Sequence, residues 1–360
     1  MKKICIVTIC NGSNFGNRLQ NYALQETLKC NVIDAEVVTA RNISGEIGKK
    51  FLKSNVVCNL LYSRLFTHFV FKVINKSKIK KKMMFLQFNK KYINWTKKYI
   101  DKDYIPNNFE NNFDYFVAGS DQIWNPYMPF NSSVEFLCFA PPEKRIAYAA
   151  SFGVSELTEA QQEFVNEKLK GFTNISVREE SGLKILERAG IHQARVVLDP
   201  TMLLTAEQWE SIEIHPTFSL TENKYLLSYV LDENNTECKK YINELSQKRK
   251  LEVIDITDLD KPEYYGIGPS EFVYLIHHAA YICTDSFHAT VFSILFHKKF
   301  SVFGRWNMNG RISTLLNMVG VESSSEAGKY HIDDIDYKKV DKKLEQERIK
   351  SIEFIKEKLL

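Results

Sequence analysis

Short apolar runs alternate with amphipathic stretches along most of the chain. Residues 3–10, 32–39, 113–118 and 194–198 are strand-like, and 145–153 repeats the pattern before ending in a small-residue turn. The first of these runs is apolar on both faces, as a strand inside a parallel sheet must be. Helical spacing follows it over 18–28, with Leu19, Tyr22, Ala23 and Leu28 on one side, and returns over 157–172. Residues 174–186 are a short strand running straight into a helix, with Arg178 at the junction. Around residue 205 the alternation restarts, with strands over 224–231, 252–256, 281–284 and 300–303 and helices over 237–249, 269–278 and 286–296. This rhythm predicts an α/β chain of two βαβ domains, 1–205 and 206–335. A charged, amphipathic helix within 336–360 closes the chain and is able to pack on either domain.

Residues 46–100 break the rhythm. The stretch 51–74 is apolar and aromatic, yet Lys53, Arg64, His68 and Lys72 interrupt it, so it does not read as a membrane span. The basic run Lys76-Ser-Lys-Ile-Lys-Lys-Lys82 follows directly. Two expectations stand: a helical hairpin with a solvated basic face, or a peripheral contact of 51–82 with an anionic membrane surface. The opening run stops at Asn11-Gly12-Ser13, too short for a secretory leader, and is read as a first strand.

Composition narrows the partners. With 360 residues, 44% hydrophobic and 26% charged, the chain has the make-up of a globular protein of two ordinary domains. A formal charge of +4 gives no reason to expect nucleic acid. The seven cysteines are scattered, without CxxC or zinc spacing, so they read as reduced thiols of a cytoplasmic protein, and no metal site is evident.

Four polar motifs fall at the predicted carboxyl ends of strands, the edge at which open α/β sheets bind ligands. The first, 14–18, includes Asn14 and Asn17 and lacks both GxGxxG and the P-loop pattern, which removes the usual dinucleotide and P-loop readings. Gly119-Ser-Asp-Gln-Ile-Trp-Asn-Pro126 offers Ser120, Asp121 and Gln122, with Asp121 as a base, an orienting group or a turn cap. Arg178 carries a planar fork suited to a carboxylate or phosphate, or to a surface ion pair with Glu179 or Glu180. Asp285-Ser-Phe-His288 sets an imidazole in the first turn of a helix capped by Asp285 or Ser286. That end attracts anions and disfavours a protonated ring unless Asp285 or a bound anion offsets it. With the domains facing each other, the first three motifs line one wall of a cleft and the fourth lines the other. Arg305 and Arg311 flank 306–310, a loop placed to close over the site. His277, His278 and His297 sit on predicted helix ends without polar company and read as structural.

Taken in order and spacing, Asn14-Phe-Gly-Asn-Arg-Leu-Gln-Asn-Tyr-Ala-Leu-Gln25, Gly119 to Pro126, Ser176-Val-Arg-Glu-Glu-Ser181, Asp199-Pro-Thr201 and Thr284-Asp-Ser-Phe-His-Ala289 resemble the polysaccharide pyruvyl transferase family over nearly all of the chain. The resemblance implies a GT-B-like pair of Rossmann-like domains with a cleft between them. It also implies transfer of the enolpyruvyl group of phosphoenolpyruvate to two hydroxyls of one sugar, giving a cyclic ketal and phosphate. The acceptor would be a bacterial surface glycan or a polyprenyl-linked oligosaccharide precursor, reached from the cytoplasm or the inner face of the membrane. By the same resemblance the donor-binding arginine maps to Arg178 and the catalytic histidine to His288. Many members carry Arg-Leu-His where this chain has Ser286-Phe287-His288, so Arg305 or Arg311 is expected to supply the missing guanidinium. On this reading His288 is the acid or base and Asp121 helps on the acceptor side. Arg178, Asn14, Asn17, Ser120, Gln122, Ser286, Arg305 and Arg311 bind substrate, and neither cofactor nor metal is required. Two alternatives are a GT-B glycosyltransferase using a nucleotide sugar, for which the second domain shows no acidic ribose-binding motif, and a non-catalytic glycan- or lipid-binding module using 72–82.

Overall fold

The computed structural model describes residues 1–10, 12–42, 76–128, 131–304, 309–321, 324–326, 329–332 and 335–359. The first domain runs β1 (Lys2–Val7), α1 (Phe15–Asn31), β2 (Ala35–Asn42), α2 (Lys76–Tyr92), β3 (Trp95–Ile100), β4 (Tyr115–Ala118), β5 (Arg145–Ala150), α3 (Glu159–Lys168), β6 (Asn174–Val177), α4 (Glu180–Arg188) and β7 (Arg195–Val196). Its seven strands form one parallel sheet in the order β3-β2-β1-β4-β5-β6-β7. The order turns back between β1 and β4, which makes that seam the switch point where an open sheet has its crevice. Val7 pairs with Ala118, so the loops that follow these two strands start level and side by side.

The second domain runs α5 (Ala206–Glu210), β8 (Tyr225–Tyr229), α6 (Thr236–Arg249), β9 (Glu252–Asp255), α7 (Pro262–Tyr265), α8 (Pro269–His277), β10 (Tyr281–Thr284), α9 (Phe287–Leu295), β11 (Phe300–Phe303), α10 (Asn309–Val319), β12 (Ser324–Glu326) and β13 (Lys329–Ile332), and α11 (Tyr337–Leu359) follows. Strands β11, β10, β8 and β9 are parallel, and β13 with β12 adds an antiparallel edge that the apolar pattern did not signal. Two Rossmann-like domains in a GT-B-like arrangement result.

Aromatic side chains join the halves. Phe15 of α1 stacks on Phe272 of α8, with centroids 4.4 Å apart, and also meets Phe85 of α2 and Tyr229 of β8. Pairs of this kind contribute about 0.5–1.5 kcal/mol each beyond their buried area. Helix α2 is therefore internal on one side: Phe85 and Phe88 are buried, and Lys81 lies over the rings of Phe15 and Tyr265 at 4.5 and 4.6 Å. Lys78, Lys82, Lys90 and Lys91 stay exposed, so the basic face is solvated only in part. The apolar stretch expected over 51–74, and with it any hairpin partner or membrane contact there, lies outside the described residues. Among the described residues no helix is long and apolar enough to cross a membrane.

Helix α11 packs on both domains. At its start Asp341 pairs with His297 of the second domain at 2.8 Å. Further on it belongs to the first domain, where Ser351 Oγ accepts from the Leu198 N–H at 3.0 Å and Phe354 meets the ring of Tyr148.

Candidate active site

Two helix N-termini, one from each domain, meet above the switch point. Asn14 caps α1 by accepting from the Asn17 N–H at 3.2 Å, and Ser286 caps α9 by accepting from the Ala289 N–H at 3.4 Å. Neither helix has an acidic residue in its first turn, so each positive end is uncompensated within its own helix. Gly16 and His288 lie against each other there. A Cβ on Gly16 would fall 2.0 Å from His288 Nδ1, so a hydrogen is the only side chain the contact admits.

The carboxylate beside His288 is not the neighbour expected from the sequence. Asp285 is turned away and accepts from the Leu231 and Asp232 N–H groups at 2.8 and 2.9 Å, pinning the loop after β8. Instead Asp199 of the first domain reaches across, its Oδ2 3.7 Å from His288 Nε2, an ion-pair distance rather than a hydrogen bond. Asp199 is fixed from all sides. Its Oδ1 accepts from Thr201 N and Oγ1 at 3.0 and 2.6 Å, and its Oδ2 from Ser120 Oγ at 3.2 Å and Arg178 Nη1 at 2.8 Å. Burial alone would raise its pKa, yet the His288 ring and the Arg178 guanidinium hold it well below the usual carboxylate range.

Arg178 does not project freely into a cleft. Asp199, Asp121 (3.3 Å from Nη2) and Glu179 (3.7 Å from Nε) wall it in, and the Phe287 ring lies 4.3 Å from its Cζ. Burial opposes its charge, but the three carboxylates more than offset this, so it stays a permanent cation. Glu179 is in turn held by the N–H groups of Phe152 and Gly153 at 3.1 and 3.4 Å.

Asp121 and Gln122 turn the chain after β4 through the left-handed region, at φ of +28° and +36°, a strained conformation of the kind that collects at functional sites. The turn aims the Asp121 carboxylate inward, where it accepts from Asn17 Nδ2 and lies 3.9 Å from Arg311 Nη1. Ser120 sits beneath, fully buried, its single hydroxyl proton shared between Ala149 O at 2.7 Å and Asp199 Oδ2 at 3.2 Å. Gln122 stands off and accepts from Asn125 Nδ2 at 2.6 Å.

The structure thus gathers His288, Asp121, Arg178, Asn17, Ser120 and Arg311, with Asn14 and Ser286 capping the two helices. Arg305 lies outside the described residues. Gly16, Asp199 and Thr201 were not among the expected site residues. The signal for two of them was the Asp199-Pro-Thr201 end of a strand, but only the docking of the domains shows which ring that carboxylate faces. Asp121, Arg178, Asp199, His288 and Arg311 are each no more than 6% exposed. The expectation that His277, His278 and His297 lack polar company fails: the first two face Glu213 from the segment between α5 and β8, far away in sequence, and His297 meets Asp341 of α11.

A model of the polysaccharide pyruvyl transferase family matches residues 14–307, from the cap of α1 to beyond β11, and so includes every residue of this cluster except Arg311. The chain belongs to the polysaccharide pyruvyl transferase family. Membership makes it a transferase with a polysaccharide acceptor. No curated protein matches the chain. Among solved structures it is similar to UDP-N-acetylglucosamine 2-epimerase from Rickettsia bellii, at 10% identity and a TM-score of 0.43, covering 99% of this chain and 98% of that one. The UDP-GlcNAc 2-epimerase of Neisseria meningitidis gives 12% identity, a TM-score of 0.47 and coverage of 100% and 99%. Phytolacca americana UGT2 gives 9%, 0.42, 98% and 94%.

Proposed function

We propose that this family member transfers the enolpyruvyl group of phosphoenolpyruvate to two hydroxyls of one sugar in a surface polysaccharide or its lipid-linked precursor, forming a cyclic ketal and releasing phosphate. The observation that carries the reading is the meeting of His288 from one domain with the Asp199–Arg178 pair of the other, between two helix N-termini. Phosphoenolpyruvate needs a cradle for its phosphate and carboxylate, and two helix ends together with Arg311 offer one. Arg178 is already engaged by carboxylates. It first fixes Asp199 and Asp121, and it reaches the donor by exchanging one of those partners for a substrate oxygen.

The proton steps follow from the ring's surroundings. With Nε2 turned to Asp199, Nδ1 beside Gly16 is the nitrogen left to exchange a proton. His288 protonates the methylene carbon of the donor while the first sugar hydroxyl attacks C2 and gives its proton to Asp121. Phosphate leaves from the resulting tetrahedral carbon with the proton held by Asp121. The second hydroxyl then closes the ring, and its proton restores His288. Since the cluster is buried, the domains part to admit the sugar and close before chemistry.

The test is release of phosphate from phosphoenolpyruvate with candidate diol acceptors, with mass spectrometry of the glycan for an added ketal. His288→Ala is expected to lose turnover by at least about 10²-fold while donor binding persists, and Asp199→Asn to lower kcat by about 10²-fold. Undiminished turnover in His288→Ala, or consumption of a nucleotide sugar in place of phosphoenolpyruvate, would sink the proposal.

A further inference from the structure

A second cluster of ionisable groups lies at the carboxyl end of α8, away from the residues assigned above. Glu213 Oε1 is 2.8 Å from His277 Nδ1, and Glu213 Oε2 is 3.4 Å from His278 Nε2. The remaining nitrogen of each ring also faces a carboxylate: His277 Nε2 is 3.8 Å from Glu210, and His278 Nδ1 is 3.4 Å from Glu222. A neutral imidazole has one N–H and one lone pair. Two neutral rings so surrounded must therefore turn two lone pairs toward carboxyl oxygens. A proton on Glu213, whose carboxyl burial raises to about 7, relieves part of this mismatch, and a cation held between the rings would satisfy both lone pairs. Lys298 is near enough to act on Glu213 and on both rings, and His215 on His278 and Glu222.

The rings are held in place for a ligand role. His277 stacks on Phe296 at 4.4 Å, and His278 stacks on Tyr274 at 4.1 Å, while the Tyr274 hydroxyl donates to Glu222. Ligand atoms of Glu213, His277 and His278 all lie within 4.8 Å of one another. Ligands of a tetrahedral zinc ion sit about 3.3 Å apart for bonds of about 2.0 Å, so the cluster needs shifts on the order of 1 Å to close on an ion. The carbonyl end of a helix adds its negative potential at the same place. Two imidazoles and a carboxylate favour a zinc-class ion over magnesium or calcium, which prefer all-oxygen sites.

We propose that Glu213, His277 and His278 bind one divalent transition-metal ion, with Glu210, Glu222 or water completing its shell. The ion would clamp the segment between α5 and β8 to α8, and it has no part in pyruvyl transfer. The experiment uses untagged full-length protein freed of metal with a chelator. It is titrated with Co²⁺ under visible absorption, and Zn²⁺ stoichiometry is measured by equilibrium dialysis. One ion per chain is expected, with cobalt bands that vanish when Zn²⁺ is added and a Tm that rises with saturating Zn²⁺. Glu213→Gln and His278→Gln, each with an unchanged circular dichroism spectrum, should weaken binding by at least about tenfold and leave phosphate release intact. Absence of saturable Co²⁺ and Zn²⁺ binding to the wild-type protein overturns the proposal whether or not the variants fold. Equal binding by a folded variant overturns it as well.

Discussion

At position 16 the side chain is a hydrogen because the imidazole of His288 fills the space a methyl group would need. Gly16→Ala should push the ring away from Asp199. Overpacking of this kind costs about 1–3 kcal/mol, and a catalytic group displaced by about 1 Å can cost about 10²-fold in rate. The expected result is a lower Tm together with a kcat reduced by about that factor, measured on phosphate release. A lowered Tm with unchanged kcat would show that alignment of the ring is not needed. At this scale the sequence was informative about groups and silent about partners. His288, Arg178 and Asp121 stood out because each is a chemically capable side chain at a strand's end. The roles of Asp199 and Gly16 depend on which surfaces of the two domains touch, and no spacing along one chain encodes that. The same ignorance made Asp285 look like the partner of its near neighbour His288.

At the scale of elements, α2 shows a polar name concealing a core position. Ser77, Lys81, Phe85 and Phe88 fall on one helical face, and all four are buried. Within the run 76–82 nothing but that spacing distinguishes Lys81 from its solvated neighbours, so the whole run read as a surface feature. Burial lowers the Lys81 pKa to about 8. For a base with a depressed folded value, the unfolded chain holds more protons between about 8 and 10.5, so stability rises with pH across that window. Below it the buried charge is a standing cost, on the order of 3 kcal/mol before the two ring contacts offset part of it. Lys81→Met should therefore stabilise the protein by about 1–2 kcal/mol near neutral pH, as read from urea unfolding. It should also remove the rise between pH 8 and 10.5, and a variant that is less stable at pH 7 would contradict this account.

Over the whole molecule, the restart of the strand–helix rhythm near residue 205 was enough to give two domains, because a parallel sheet writes its pattern locally. The destination of α11 was not readable, since an amphipathic face states that a helix packs and not against what. Its Val340, Leu344, Phe354, Ile355 and Leu359 are buried. At about 1.5–3 kcal/mol per such side chain, their loss approaches the entire stability of an ordinary domain. A chain ending at residue 336 is thus expected to be insoluble or to lose its cooperative urea transition, and a sharp transition within a few kcal/mol of wild type would refute the estimate. The crossing of α11 also bears on biosynthesis. The strap that covers part of the first sheet leaves the ribosome only after the whole second domain has been made. Until then the earlier domain waits with a bare apolar face, a nascent intermediate suited to capture by a chaperone.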